Sequence, residues 1–339
     1  MLRRQDLGHR VVVRRIVGGR ADRPLFSDAL GELVELTETH LTLVTERGKL
    51  RVPLTEVHRA KRVPPARRPS AQAVVELELA ANEAWPAPVQ DRLGGWLLRC
   101  AGGWTGRANS ALPVGDPDRP LEAAIDAVER WYADLGRPAM INTPLPLAAP
   151  VGVALDERGW TSRKPTLAQT APLPTLLART PVRTDLAAVE LATAPSDEWL
   201  ALCAARKAAH AGTAAGDDPL ATLPAAARHI LTSVAQVRFA HVYAPGGDSD
   251  RKLIAAGRGT VTGAGRWFGL TSVEVVPEAR RQGLAQHLVR ALAEWAAGLG
   301  ATDAFLQVEQ DNAAAVALYR RLGFTTHHTY LTRVAPPAP

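Results

Sequence analysis

Between Leu270 and Gln286 the chain sets two arginines, two glutamines and a glycine where an extended run meets a helix pattern: Val275-Val276-Pro277-Glu278-Ala279-Arg280-Arg281-Gln282-Gly283-Leu284-Ala285-Gln286. The chemistry this fits is phosphate binding. Leu270 to Val276 is rich in β-branched residues, and Pro277, with no N–H to give, ends strand pairing. Beyond the turn, Leu284, Leu288, Ala291, Leu292 and Trp295 recur on one helical face, so Arg280 to Ala285 fall at a helix N-terminus. Unpaired N–H groups and the macrodipole favour an anion there, and Gly283 and Ala285 leave the backbone open to it. A second polar set, Trp104, Arg107 and Asn109, joins an aromatic face, a fixed cation and an amide within a Gly-rich stretch, Gly94 to Ser110. It suits a small polar ligand. The other reading is a hairpin, two strand-like runs around the Gly-rich turn, whose Trp96 and Trp104 fill a core and whose Arg107 is solvated.

Around these residues the elements follow an order. Lys252 to Val261 and Arg266 to Val276 read as two strands joined at Gly263-Ala264-Gly265. After the helix come a strand-like Leu306-Gln307-Val308-Glu309, then Asn312, Ala315 and Tyr319 at helical spacing, then Gly323-Phe324 before a last strand. Arg280, Gly283 and Ala285 meet the Arg/Gln-x-x-Gly-x-Gly/Ala pattern of the acyl-CoA cradle in the GNAT acetyltransferase superfamily, and the Asn312 to Phe324 block follows about thirty residues later. The chain resembles that superfamily specifically over residues 183–333.

The resemblance implies an α/β fold, a mixed, mostly antiparallel sheet with flanking helices, and acetyl-CoA as cosubstrate. It implies cofactor contacts from Val275, Val276, Arg280, Arg281, Gln282, Gly283, Leu284, Ala285, Gln286, Asn312, Ala315 and Tyr319. Tyr319 would be the proton donor to the departing thiolate, and backbone N–H groups at Val275 and Val276 would polarise the thioester carbonyl. An alkyl ammonium, with a pKa of about 10.4, must lose its proton before it can attack. The glutamate that many members carry six residues before the position of Val275 is Gly269 here. Glu274 and Glu309 are then the candidates, Glu274 as catalytic carboxylate and Glu309 toward the substrate, and a structural carboxylate is the other reading of each. His210 and His241 are weaker candidates. His327 and His328, on opposite faces of a strand, form no two-histidine metal site by themselves, and no metal is expected.

With 339 residues, 46% of them apolar, the chain is expected to hold two or three packed domains and no membrane span. Its two cysteines, Cys100 and Cys203, make no disulfide framework, and Met1 to Asp6 do not open a signal segment. A cytoplasmic protein is expected. No nucleotide-binding Walker loop, His-Glu-x-x-His helix, Gly-x-Ser-x-Gly elbow or Cys-x-x-Cys pair occurs.

The net charge of +6 is concentrated at one end: residues 1–70 hold fifteen Lys/Arg against eight Asp/Glu, leaving −1 for the rest. Short alternating runs, Val11 to Ile16, Gly31 to Leu36, Leu41 to Val44 and Leu50 to Val52, with a turn at Glu46-Arg47-Gly48, resemble a small all-β SH3-like N-terminal barrel over residues 1–65. Its basic residues interleave with Glu32, Glu35, Glu38 and Glu46, and Phe26 is its one aromatic of the Phe/Tyr/Trp class. A packing or dimerisation module is therefore preferred to a nucleic-acid binder. Arg59 to Gln72, with Pro64, Pro65 and Pro69, reads as an extended linker.

Residues 71–171 look like a weak copy of residues 183–335. Val128 to Gly136 parallels Leu292 to Gly300, and Leu155 to Trp160 parallels Tyr319 to Phe324. In place of the cradle this copy has Val114-Gly115-Asp116-Pro117-Asp118-Arg119-Pro120, whose two carboxylates would repel a pyrophosphate. The arrangement resembles tandem GNAT proteins, with a degenerate half, a catalytic half and a Pro-containing separator at residues 172–181. The expected activity is direct transfer of acetyl from acetyl-CoA to a primary amine, on a small molecule or a protein, by a monomer or homodimer. A CoA-binding regulatory or scaffold protein without turnover, and a nucleic-acid-associated modifier directed by the basic barrel, are the alternatives.

Overall fold

The computed structural model describes residues 2–20, 23–45, 48–63, 69–211, 223–245 and 251–337. The chain divides into two compact units, Met1–Arg68 and Pro69–Pro339. In the first, β1 (Arg10–Arg20), β2 (Arg23–Leu36), β3 (His40–Thr45), β4 (Gly48–Pro53) and β5 (Val57–Arg62) form an antiparallel sheet in the order β4-β3-β2-β1-β5. Alternation puts Val11, Val13, Leu33, Leu41, Leu43 and Val52 into its core. The five strands thus pair in one continuous order, and among the described residues no pairing joins β4 to β5. The turn expected at Glu46-Arg47-Gly48 and the linker prolines Pro64 and Pro65 fall wholly or partly outside the described residues. The linker itself is shorter than expected. Arg59 to Arg62 belong to β5, with Arg62 opposite Val11, and Ala71 already starts a helix.

The second unit begins with α1 (Ala71–Ala84), capped by Ser70, whose Oγ accepts from Ala73 N–H. There follow β6 (Val89–Leu93), β7 (Trp96–Cys100), β8 (Leu112–Pro113), α2 (Leu121–Asp134), β9 (Met140–Leu145), α3 (Ala149–Glu157), β10 (Thr161–Ser162), β11 (Thr166–Pro172) and α4 (Leu173–Arg179). Then come β12 (Glu190–Ala192), α5 (Asp197–Ala211), α6 (Ala225–Thr232), β13 (Val237–Tyr243), β14 (Leu253–Thr262), β15 (Trp267–Val275), α7 (Leu284–Gly298), β16 (Asp303–Glu309), α8 (Ala313–Arg321) and β17 (Thr325–Val334). Among the described residues, no helix is long and apolar enough to cross a membrane. In the Gly-rich stretch the hairpin is β6–β7, turning at Gly94-Gly95, while residues 101–110 form a loop with one 3-10 turn at Arg107–Asn109 and not the second strand expected.

Both sequence parallels reside in helix endings. α2 and α7 each close with the same cap, Arg137 N–H to Tyr132 O at 2.9 Å and Ala301 N–H to Ala296 O at 3.1 Å, across left-handed Gly136 and Gly300. α3 and α8 repeat it: Trp160 N–H to Leu155 O and Phe324 N–H to Tyr319 O, across Gly159 and Gly323.

Two strands are exchanged between these halves. β11 pairs antiparallel with β16 along its whole length, from Thr166↔Glu309 to Pro172↔Asp303, while β17 pairs with β9 from Thr329↔Leu145 to Val334↔Met140. Because each half supplies the strand that completes the other's sheet, residues 69–339 form one compact unit, and the separator expected at residues 172–181 is no boundary. Residues 173–179 of it are α4, packed on α7. On one face of the sheet, Leu284, Leu288 and Leu292 of α7 pack with Phe268 and Leu270 of β15. On the other, Leu77, Ala80 and Ala81 of α1 cover Trp267 and Phe305, and Trp199 and Ile230 join Trp85 and Trp104.

Candidate active site

β15 and β16 run parallel for only three residue pairs, the last being Gly269↔Phe305. Past that point β15 continues to Val275 paired with β14 alone, and a wedge opens between it and the rest of β16. A bulge shapes the wedge's wall. Thr271 lies opposite Arg258 and Glu274 opposite Ala256, so β15 carries one residue more than β14 there, with Ser272 at φ 52°. The extra residue reverses the alternation and turns Glu274 to the face that carries Arg258 and Ala256, where α1 and α5 lie. Val276 N–H donates to Ile254 O at 3.0 Å. That group is used within the sheet, which corrects the expectation that it polarises the thioester. The neighbouring Val275 presents its peptide groups to the opposite edge, and its carbonyl accepts from Arg280 Nε at 3.2 Å.

The expected cradle is a helix start without a side-chain cap. Gly283, at φ 91°, precedes the first residue of α7, and no side chain bonds the first-turn N–H groups there, whereas Asn312 Oδ1 caps α8 by accepting from Ala315 N–H at 3.2 Å. Arg280, Arg281 and Gln282 are exposed around this opening, and Arg281 itself takes φ 67°. Leu284 is buried and anchors the helix, and Gln286 donates to Arg179 O at 2.9 Å, so both brace the cradle from outside. A residue missed in the sequence joins it: a Cβ on Gly283 would lie 2.5 Å from Arg183 Nη1, so a third guanidinium rests on the glycine, held by Asp185. Uncapped N–H groups beside three guanidiniums are what a pyrophosphate needs.

Across the wedge, Tyr319 packs edge-on to Phe324 at 5.8 Å. Burial pushes its phenol up to about 12, so it stays protonated at neutral pH. Burial also raises the Glu274 carboxyl, opposed by Arg206, whose Nε is 2.7 Å from Glu274 Oε1. Cys203, one helical turn before Arg206 on α5, has its thiol pushed up by burial and is no ready thiolate. The position where the family carries glutamate is closed. A Cβ at Gly269 would stand 2.6 Å from Thr260 Oγ1 and 2.8 Å from Phe305 Cζ.

The remaining wall comes from the first half. Arg107 Nη1 donates to Gln307 Oε1 at 2.9 Å, and its guanidinium lies 4.3 Å over the Trp85 ring. Trp104 stacks on Trp85 at 5.3 Å and is buried, as in the hairpin-core reading. Asn109 is spent on its own loop: Oδ1 accepts from Ala101 and Gly103 N–H, and Nδ2 donates to Trp104 and Thr105 carbonyls. Glu309 ends β16 opposite Thr166, on the same face as Gln307. The structure thus brings Glu274 and Tyr319 within electrostatic reach of Arg206, puts Arg107 on Gln307 and Glu309 at the end of β16, and leaves Trp104 and Asn109 buried in the first half.

The histidines are corrected. A bulge between Ala168↔His328 and Gln169↔Thr326 makes His327 the extra residue, so the two rings do not diverge as expected, and their Nδ1 atoms are 2.9 Å apart. His328 Nε2 is 2.8 Å from Glu78 Oε1, both buried. His241 is a core residue bonded to Phe239 O, and the His210 side chain lies outside the described residues.

Comparison with known proteins matches residues 72–332 to the family described as the C-terminal region of the probable histone acetyltransferase Rv0428c. The chain is 31% identical over 329 residues to the probable histone acetyltransferase Rv0428c of Mycobacterium tuberculosis, covering 95% of this chain and 93% of that one. It is 29% identical over 270 residues to the uncharacterized N-acetyltransferase YobR of Bacillus subtilis, covering 76% and 98%. Among solved structures, a tandem GNAT protein from the clavulanic acid biosynthesis pathway superposes with a TM-score of 0.53 at 16% identity, over 81% of this chain and 91% of that one.

Proposed function

Since the chain belongs to the GNAT superfamily of N-acetyltransferases, within the family of the probable histone acetyltransferase Rv0428c, we propose that it transfers acetyl directly from acetyl-CoA to a primary amine. The observation that carries this reading is the wedge between β15 and β16, with an uncapped helix start beside it and Glu274 and Tyr319 within electrostatic reach of each other. Bound acetyl-CoA would supply the activated acetyl thioester. Arg183, Arg280 and Arg281 with the first turn of α7 would hold its phosphates, and Val275 N–H would face its acyl carbonyl.

Glu274, raised by its burial, takes the proton of the acceptor ammonium. The amine then forms its bond to the acetyl carbon, the carbon–sulfur bond breaks, the Tyr319 hydroxyl gives its proton to the departing sulfur, and the tyrosinate so formed takes the second proton from the acylated nitrogen, leaving a neutral amide and a free thiol. A protonated Cys203 offers no acyl-carrying thiolate, which supports one-step transfer. The test is thiol release from acetyl-CoA across a panel of amines and basic peptides, with Tyr319→Phe beside the wild type. A turnover lowered by about 10²-fold or more in the variant, at unchanged acetyl-CoA affinity, is expected. Equal turnover would remove Tyr319 from the chemistry.

A further inference from the structure

Three guanidiniums, Arg99, Arg107 and Arg258, are buried or nearly so around Trp85 and α1. Arg99 donates to Ser110 O, Ser110 Oγ and Asn82 Oδ1. Arg258 donates to Ala84, Ile230 and Leu231 carbonyls and to Thr271 Oγ1, and lies 5.4 Å from the Trp85 ring. Both are satisfied by neutral acceptors. Arg107 is not: Gln307 Oε1 and the neighbouring Tyr330 hydroxyl engage it, but its buried Nε has no partner. Among the described residues, the carboxylate facing this group is Glu78, already shared between His328 and Gln307. Desolvated charge without a counter-ion is costly, and here the surplus is positive.

Two more cations lie near Arg107. Arg163 Nη1 is 3.2 Å from where a Cβ on Gly106 would be, so it leans on the residue next to Arg107. Lys207, on α5 beside Arg206, is half-buried, and its ammonium is pulled down by burial and then by repulsion from Arg107, Arg206 and Arg163. Arg206 in turn contacts Glu274, so the cationic group is continuous with the proposed base. The recess between Glu78, Asn82, Trp85, Arg99, Arg107 and Gln307 is shallow, with about 10 Å³ open to the centre of a water molecule.

We propose that the acceptor amine carries an anionic group, a carboxylate or a phosphate, which Arg107, Arg163 and Lys207 hold while its amine reaches Glu274. The inference rests on the transfer reading above. A guanidinium matches either anion, and a like-charged wall turns away polyamines and lysine-rich peptides.

The test uses the full chain, acetyl-CoA and matched acceptors: phosphoethanolamine against ethanolamine, β-alanine against β-alaninamide, then spermidine and a lysine-rich peptide. An acidic member at least tenfold above its neutral counterpart in kcat/KM, with the polycations lowest, is expected, and the first two pairs separate phosphate from carboxylate. Arg107→Gln should raise the KM of the preferred acidic acceptor about tenfold and leave the KM of acetyl-CoA alone. Lys207→Met, on a single helix face, gives the same direction should Arg107→Gln not fold. Equal rates within each pair, or preference for a polycation, would overturn the proposal. If acetyl-CoA binds by calorimetry but no amine is turned over, the transfer reading fails first. Saturable quenching of tryptophan fluorescence by glutarate, lost in Lys207→Met, would then still support the anion site, and its absence would end it.

Discussion

At the scale of single residues, the site turns on two groups that burial shifts in the same direction, each toward its protonated form. Tyr319 is kept as an acid and Glu274 is raised toward useful basicity, with Arg206 as the opposing charge. The acid limb of kcat/KM should therefore lie above the ordinary carboxylate value of about 4.3, because the base must be ionised to work. Arg206→Ala removes the group that holds the carboxyl down and should move that limb to higher pH, while Glu274→Gln should abolish it together with most of the activity. A pH profile unchanged in Arg206→Ala would assign the limb to another group. Gly269 is a different case, since the clash with Thr260 and Phe305 is with side chains inside a packed core. Gly269→Ala should lower stability by about 1–3 kcal/mol in urea unfolding, and Gly269→Glu should not restore the base found there in other members. The cradle was legible from sequence because Pro277, Gly283 and the arginines act locally. Arg183 was not, for nothing near it in sequence says that its guanidinium rests on a glycine one hundred residues later.

Elements decide where these residues face. Both β15 and β17 carry an extra residue, and each bulge turns a polar side chain that simple alternation would send elsewhere: Glu274 toward Arg206, His327 toward His328. That is why the strands could be placed from β-branched runs and turns, while the partners of Glu274 and His327 could not. A bulge shifts parity without leaving a compositional mark. Histidine burial also sets a pH response for the fold. His241 and His327 are held below the usual histidine range by burial, so the folded chain takes up protons less readily than the unfolded chain. Stability should hold above about pH 6.5 and fall as pH drops through that value, the range in which the unfolded histidines charge. Urea midpoints at pH 5.5 and 7.5 check this, and His241→Asn should flatten the difference. An equal slope in that variant would place the response on other groups.

The whole molecule is built so that neither half of the second unit is complete alone. The two halves were legible as copies from their shared helix endings, but the exchange of β11 and β17 was not, because strand partners far apart in sequence leave no local signal. Residues 69–339 expressed without the first unit should give a cooperative melt, since they form their own compact unit. Residues 182–339 alone would lack β11 and α1, exposing one edge of β16 and the face that Leu77, Ala80 and Ala81 cover. They should be insoluble or lack a melting transition by circular dichroism. A well-dispersed, cooperatively melting fragment would refute the mutual dependence of the halves.

On the ribosome the exchange becomes a matter of time. Asn142 of β9 and its partner Thr332 of β17 are 190 residues apart, which at ordinary synthesis rates of about 5–20 residues per second is a delay on the order of ten to forty seconds. Throughout it, β9 has an unpaired edge of the kind that recruits other nascent chains. Pro144, opposite Tyr330 in the finished sheet, cannot donate along that edge, and so makes the strand a poor template for any chain that arrives before its own.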